Sequence, residues 1–358
     1  MRITAVEAVP FALRFHHPYV TARGRLERRE MVLVRLRTDE GIEGFGEAVA
    51  MSLRGGAEAS ALAREIEESA APELTGLDPT ANPLPPRWSG RGLSTPVRAA
   101  VEMARLDLDA KLARMPLWRL LGAEACQPVS CNATLVAGPP RAVAADAERW
   151  AELGFRTFKL KVGVPGDVGR VEAVRHAVGP AAKLRVDANG VWTPQDAVLR
   201  LTAMERHGIE LAEQPAADLE DLAAVRNQTA IPIAADESVN GAEDARRAKD
   251  LGACQLATVK VAKVGGMGPA RGIAAELPVY LSSALDGPVG IAAAAHLAQV
   301  LRPAAPWASL AQGLATQLLF ADTIASAECE VRDGALHAPE GPGLGVEIDE
   351  AALERHRT

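Results

Sequence analysis

The chain opens on strand-like runs of apolar residues, ITAVEAVPFAL and MVLVRLRT, and then turns at Asp39-Glu40-Gly41 into a third, IEGFGEAVA, which predicts a small β-meander. Next the pattern becomes helical. Val97, Ala100, Val101, Ala104, Leu108 and Leu112 recur at spacings of three and four, with Thr95 expected as N-cap and Pro96 in the first helical position. Pro116 ends that pattern and begins PLWRLLG.

From about Cys131 the texture changes to short apolar strands alternating with helical stretches. The strand candidates are CNATLV, FRTFKLKV, KLRVDA, IELAEQP, IPIAADE, LATVK, PVYLSS and WASLAQ. Between them lie helical patterns such as PRAVAADAERWAEL, DVGRVEAVRHAVG, TPQDAVLRLTAMERHG and GAEDARRAKDLG. The expected class is α/β, a (β/α)₈ TIM barrel with an α+β capping domain, and a doubly wound open sheet is the alternative. The tail, CEVRDGALHAPEGPGLGVEID, carries strand and Gly-Pro turn signals. The expected division is a capping domain over 1–125, completed by 326–358 folding back onto it, and a barrel over 126–325.

Composition narrows the class of function. Of 358 residues, 48% are hydrophobic and only 4% aromatic, so the core must be aliphatic. Net charge is -7, which offers no basic surplus for nucleic acid or an anionic membrane. The most apolar late stretch, GIAAAAHLAQVL, is interrupted by His296 and Gln299, and no signal peptide or membrane span is read from the sequence. Cys126, Cys131, Cys254 and Cys329 have no paired spacing, so they read as buried free thiols and the expected compartment is the cytoplasm.

A barrel places reactive groups at the C-terminal ends of its strands. The polar residues there are Lys159 and Lys161, then Asp187, Glu213, Asp236 and Lys260. Three acids ending consecutive strands, about 4.8 Å apart, can converge on one point, and a divalent cation would relieve their mutual repulsion. All-oxygen ligation selects a hard ion, most readily Mg²⁺, with Mn²⁺ as a substitute.

In FKLKV the period of two sends Phe158, Leu160 and Val162 to one face and both lysines to the other, into the barrel mouth. Two adjacent ammonium groups should lower the pKa of one, and Lys161, nearer the strand end, is the candidate base. Lys263, three residues beyond Lys260, is expected off the strand end. The order amine, acid, acid, acid, amine suits removal of a proton α to a metal-held substrate carboxylate, through a metal-stabilised enediolate. The expected partner is a small-molecule carboxylate; formation of a homo-oligomer stays open.

These residues resemble the enolase superfamily, and within it the muconate-lactonizing-enzyme subgroup. The resemblance rests on GFGEA at 44–48, FKLKVG at 158–163, RVDANG at 185–190, AEQP at 212–215, ADES at 235–238 and VKVAKVGG at 259–266. It implies Asp187, Glu213 and Asp236 as Mg²⁺ ligands, Lys161 and Lys260 as opposed acid/base groups, and Lys159 tuning Lys161. Asn189 and Glu237 are implied as partners of the ligands. SSALDGPVGIAA at 282–293 and GLATQLLFAD at 313–322 look most like the o-succinylbenzoate synthases. Those enzymes dehydrate a cyclohexadiene carboxylate to 2-succinylbenzoate in menaquinone biosynthesis. N-acylamino acid racemase and muconate-type cycloisomerase are the alternatives. Gly287-Pro288 depart from that type, which tends to carry small hydroxyl residues there. WASLAQG lacks the Asp pair that dipeptide epimerases use on an amino group. Ser282, Ser283 and Asp286 are expected to bind the remote part of the substrate. So is Arg23, in a candidate lid at 16–30 whose Arg23, Arg25 and Arg28 would receive a second anionic group.

Overall fold

The computed structural model describes residues 1–80, 92–301 and 305–358. Ile3–Thr21, Gly24–Thr38 and Glu43–Val49 form an antiparallel sheet in chain order. The helix Thr95–Leu112 packs on it. Ser94, rather than Thr95, takes the cap position, its N–H and hydroxyl both bonded to Glu65. The two glycines of GFGEA are explained by this packing. A Cβ on Gly46 would lie 1.8 Å from the Ala100 carbonyl oxygen, and one on Gly44 2.2 Å from that of Ala104. Helix and strand therefore touch backbone to backbone.

The candidate lid is not a loop but the outer half of a long hairpin, with the strands turning between Thr21 and Gly24. Its registry shifts between Arg14 and Tyr19, and the bent tip reaches over the barrel. Phe15 stacks on Phe320 at 4.8 Å and on Tyr19 at 5.6 Å, while Ala137 N–H donates to the Val20 carbonyl at 3.0 Å.

Seven parallel strands follow in consecutive order: Asn132–Leu135, Thr157–Lys161, Lys183–Asp187, Ile209–Glu213, Ile233–Ala235, Leu256–Val259 and Val279–Leu281. The expected eighth strand is reduced to Gln312 and Gly313, which bridge in parallel to Cys131 and to Ser282. Those two bridges join the first and seventh strands, so the sheet curls into a ring. Helices Pro140–Glu152, Asp167–Val178, Pro194–Glu205 and Ala242–Leu251 lie between strands as expected. Inside the ring Leu211, Ala234, Leu256, Tyr280 and Leu310 form a small core of their own, separate from the larger aliphatic layer beneath the helices.

In the tail, Ala325–Ala327 pairs with Glu347–Ile348, Arg357 bridges to Phe11 and Thr358 N–H donates to Pro10 at 3.2 Å. It also pairs Ala335–His337 with Val129–Ser130 at the entry to the barrel. Among the described residues no helix is long and apolar enough to cross a membrane.

Candidate active site

The inward positions of the strands alternate by two, so Lys159 and Lys161 share a face with Asp187 across one ladder, and Asp187 is the register partner of Glu213 across the next. Asp236 follows the fifth strand directly and Lys260 the sixth. All of these side chains are buried. Lys161 Nζ lies 2.6 Å from Asp187 Oδ2 and 3.4 Å from Asn189 Oδ1. Lys159 Nζ lies 3.0 Å from Asp187 Oδ2 and 2.6 Å from Glu213 Oε2. On the other flank Lys260 pairs with Asp236 Oδ2.

Among the described residues no three His, Cys, Asp or Glu side chains are drawn together as a ready-made metal cage. Each carboxylate is taken by an amine, which corrects the expectation of three uncompensated acids converging on one point. The flanking strands bring enough ammonium charge to neutralise them. The donor set nonetheless fits a hard divalent ion. It is all oxygen, it closes three successive strands, and Glu213 Oε1 is buried with no hydrogen-bond partner, a cost that a cation would remove. Asp187, Glu213 and Asp236 are thus the residues that could hold such an ion.

The lysine pair also corrects an expectation. Burial works to lower the Lys161 ammonium, but Asp187 and then Tyr19 raise it more, and the net shift is upward. Lys159 is raised as well, burial being outweighed by Asp187 and Glu213. Across the ladder the carboxylates outweigh the like charge beside each lysine, and the carboxyl of Asp187 is held below its ordinary range despite its burial, by Lys159, Lys161 and Lys260.

Asn189, at φ 51°, donates its backbone N–H to Asp187 Oδ1 at 3.0 Å and its amide to Glu237 Oε1 at 3.2 Å. Asn189 and Glu237 therefore brace the third and fifth strand ends against each other.

A cleft of about 710 Å³, counted out to its open mouth, lies over the lysines. Its described wall presents Arg23, Arg29, Lys159, Lys161 and Lys260 and no carboxylate. Ser282 and Ser283 are on that wall, with Thr134 and Thr316. Asp286 is not. Its Oδ2 accepts the Ala284 N–H at 2.7 Å and its own N–H donates to Ser283 Oγ at 2.8 Å, so it folds its loop rather than facing a ligand. Gly287 donates to Glu47 at 2.6 Å, and a Cβ there would sit 2.7 Å from the other oxygen of Glu47. A side chain at 287 would have to displace the buried Glu47 carboxylate.

Of the lid arginines, Arg23 lines the cavity and donates to the Asn189 carbonyl at 2.9 Å. Arg25 and Arg28 are exposed and paired at 2.7 Å with Glu27 and Glu30, away from the cavity. Arg29, which the sequence reading passed over, is the buried one and donates to the Ala284 carbonyl at 2.6 Å. Lys263, expected off the strand end, does lie beyond it but reaches back to Asp236. The short helix Val261–Val264 turns it back so that Nζ lies 3.0 Å from both Asp236 Oδ1 and the Val239 carbonyl.

Residues 3–122 match the mandelate racemase/muconate lactonizing enzyme N-terminal domain, and residues 142–352 match the enolase C-terminal domain-like family. The o-succinylbenzoate synthase of Geobacillus stearothermophilus is 32% identical over 95% of this chain and 92% of its own length. That of Thermobifida fusca is 43% identical over 54% of this chain and 62% of its own. The structure of a muconate lactonizing enzyme from Pseudomonas fluorescens complexed with muconolactone superposes with a TM-score of 0.93 at 28% identity, covering 100% of this chain and 99% of the other. An L-Ala-D/L-Glu epimerase, a muconate cycloisomerase and an N-succinyl-L-Arg/Lys racemase match at comparable identity. The chain belongs to the enolase superfamily, in its muconate-lactonizing-enzyme subgroup.

Proposed function

We propose that the chain is a Mg²⁺-dependent enzyme that removes a proton α to a carboxylate, and that its reaction is the syn-dehydration performed by o-succinylbenzoate synthases. The observation that carries this reading is the placement of Lys161 and Lys260 on opposite flanks of Asp187, Glu213 and Asp236, with both amines on the cationic wall of one cavity.

Asp187, Glu213 and Asp236 would hold the ion. When bound, Mg²⁺ supplies the positive charge that makes the proton next to a carboxylate acidic. Lys161 Nζ takes that proton as base, and Asn189 and Asp187 fix the position of the amine. In a syn elimination the same amine returns the proton to the departing hydroxyl. Lys260 stays protonated on the far flank and stabilises the negative charge that develops. The cavity wall selects an anionic substrate, with Ser282, Ser283 and Arg23 beside the part remote from the reacting carbon.

A racemase of N-acylamino acids is the second reading, favoured by the two amines themselves, since each can serve one face of the α-carbon. Parallel assays of cyclohexadiene carboxylate dehydration and N-succinylamino acid racemization, each with and without EDTA, test both. Dehydration abolished by chelation and restored by Mg²⁺ is the expected result. Racemization alone would replace the first reading by the second, and turnover that survives chelation would remove the metal.

A further inference from the structure

Tyr280 belongs to the seventh strand, yet its phenol crosses the ring and its hydroxyl donates to Glu213 Oε2 on the fourth. It is 1% exposed and packs with Leu211, Ala234, Leu256 and Leu310. Its ring is covered by the Arg185 guanidinium, 5.1 Å from the centroid. Arg185 is in turn fixed by Glu210 Oε2 and by the Ala311 carbonyl, each at 2.7 Å. The phenol therefore has one orientation available to it.

Glu213 Oε2 also faces Lys159 Nζ at 2.6 Å, so two donors converge on one oxygen while Oε1 stays buried without a partner. Two donors on a single oxygen hold the carboxylate in one orientation and leave its other oxygen, Oε1, without a hydrogen bond to the described residues. We infer that Tyr280 is a positioning residue: it sets the Glu213 carboxylate, from across the barrel, for the divalent ion. The inference rests on the reading above that Glu213 holds Mg²⁺. Outer partners of metal ligands act in this way by removing alternative orientations before the ion arrives.

Tyr280→Phe deletes the donor and keeps the ring. Full-length wild type and variant are stripped with chelator and titrated with MgCl₂ by calorimetry, without substrate, well below the melting temperature of either. The variant should bind Mg²⁺ about 10- to 100-fold more weakly. In the assay its half-saturating Mg²⁺ concentration should rise by a similar factor, with kcat at saturating Mg²⁺ and KM for substrate little changed. Thr258→Val is the control. Thr258 is the register partner of Tyr280 and its buried hydroxyl has no partner, so its loss should leave Mg²⁺ affinity unchanged. Should the Phe variant fold poorly, Arg185→Met frees the ring while keeping the hydroxyl, and the same weakening is expected on a smaller scale.

Equal Mg²⁺ affinity in wild type and Tyr280→Phe overturns the inference alone. So does an equal loss in Thr258→Val, which would make the effect one of packing. A wild type that binds no Mg²⁺ overturns the functional reading and the inference with it.

Discussion

Lys161 Nζ lies 2.6 Å from Asp187 Oδ2, and the amine of Lys260 meets Asp236 in the same way on the opposite flank. Each candidate base is therefore stored as an ion pair with a candidate metal ligand. Binding of a cation among the carboxylates would compete for the same oxygens and release the amines toward the substrate.

Lys161→Ala should abolish dehydration, because Lys159, the other amine on that flank, is held between Asp187 and Glu213. Lys260→Arg keeps the charge without a usable base, so it should retain measurable dehydration and lose racemization. Outright removal of a charge-stabilising group typically costs on the order of 10²- to 10³-fold in rate. Product formation and deuterium uptake from D₂O, measured for both variants on both substrates, decide the matter. Full dehydration by Lys161→Ala would remove Lys161 as the base.

Glu213→Gln removes one negative charge at nearly constant size. Mg²⁺ affinity and turnover should fall together, since Glu213 Oε1 is the one ligand oxygen left unpartnered. Titration of chelator-stripped enzyme with Mg²⁺, followed by activity, checks this. Unchanged affinity with normal turnover would take Glu213 out of the metal site.

The strand ends could be read in advance because one rule governs them: inward residues recur every two positions, and a polar residue ending an apolar strand points into the barrel mouth. Residues that come back into the site by other routes escaped that rule. Lys263 arrives through a helical turn after its strand. Tyr280 reads as one apolar residue in PVYLSS, and only ring closure shows that it faces Glu213. The first strand reads only as far as Leu13 because His16–Glu30 is rich in polar residues, which follows from the outer face of the hairpin tip lying in solvent. The direction of the lysine shifts failed for a related reason. The like charge on the same strand is visible in the sequence, whereas the carboxylate one ladder away is not.

His296 ties three parts of the chain together and sets an acid limit on stability. Its Nδ1 accepts the Trp118 N–H at 3.1 Å and its Nε2 lies 3.1 Å from the Leu344 carbonyl, so the neutral ring with the proton on Nε2 satisfies both. Burial pushes its pKa down to about 4. The unfolded chain, at the ordinary value, binds the proton first, so stability falls as pH drops from about 6.5 toward 4. The loss between pH 7.5 and 5 is on the order of 2 kcal/mol. His296→Gln removes this dependence, and its melting temperature should fall less than that of wild type over the same interval. Parallel melting curves would show that the ring does not titrate.

Glu47 sets the alkaline counterpart at the contact between the N-terminal sheet and the seventh-strand loop. It is fully buried, accepts the Gly287 N–H at 2.6 Å, and has no partner for Oε2. Burial, then the neighbouring charge of Asp286, push its carboxyl up to about 8, against the opposing pull of the amides at Gly287, Gly290 and Val289. Asp286 is itself raised by burial, with Ser283, Ala284 and Arg29 pulling the other way. A carboxyl raised in the folded state holds its proton when the unfolded chain has released it. Stability from Glu47 is therefore complete below the ordinary carboxylate range and is lost as pH rises toward and through about 8. Glu47→Gln keeps the shape and the acceptor for Gly287 but carries no charge at any pH. Its melting temperature, relative to wild type, should gain several degrees between pH 6 and pH 9, measured by calorimetry in matched salt. The loop it holds carries Ser282 and Ser283, so KM for an anionic substrate should rise with pH in wild type more than in the variant. A constant difference in melting temperature across that range would mean that Glu47 is ionised throughout and that the contact is not linked to a proton.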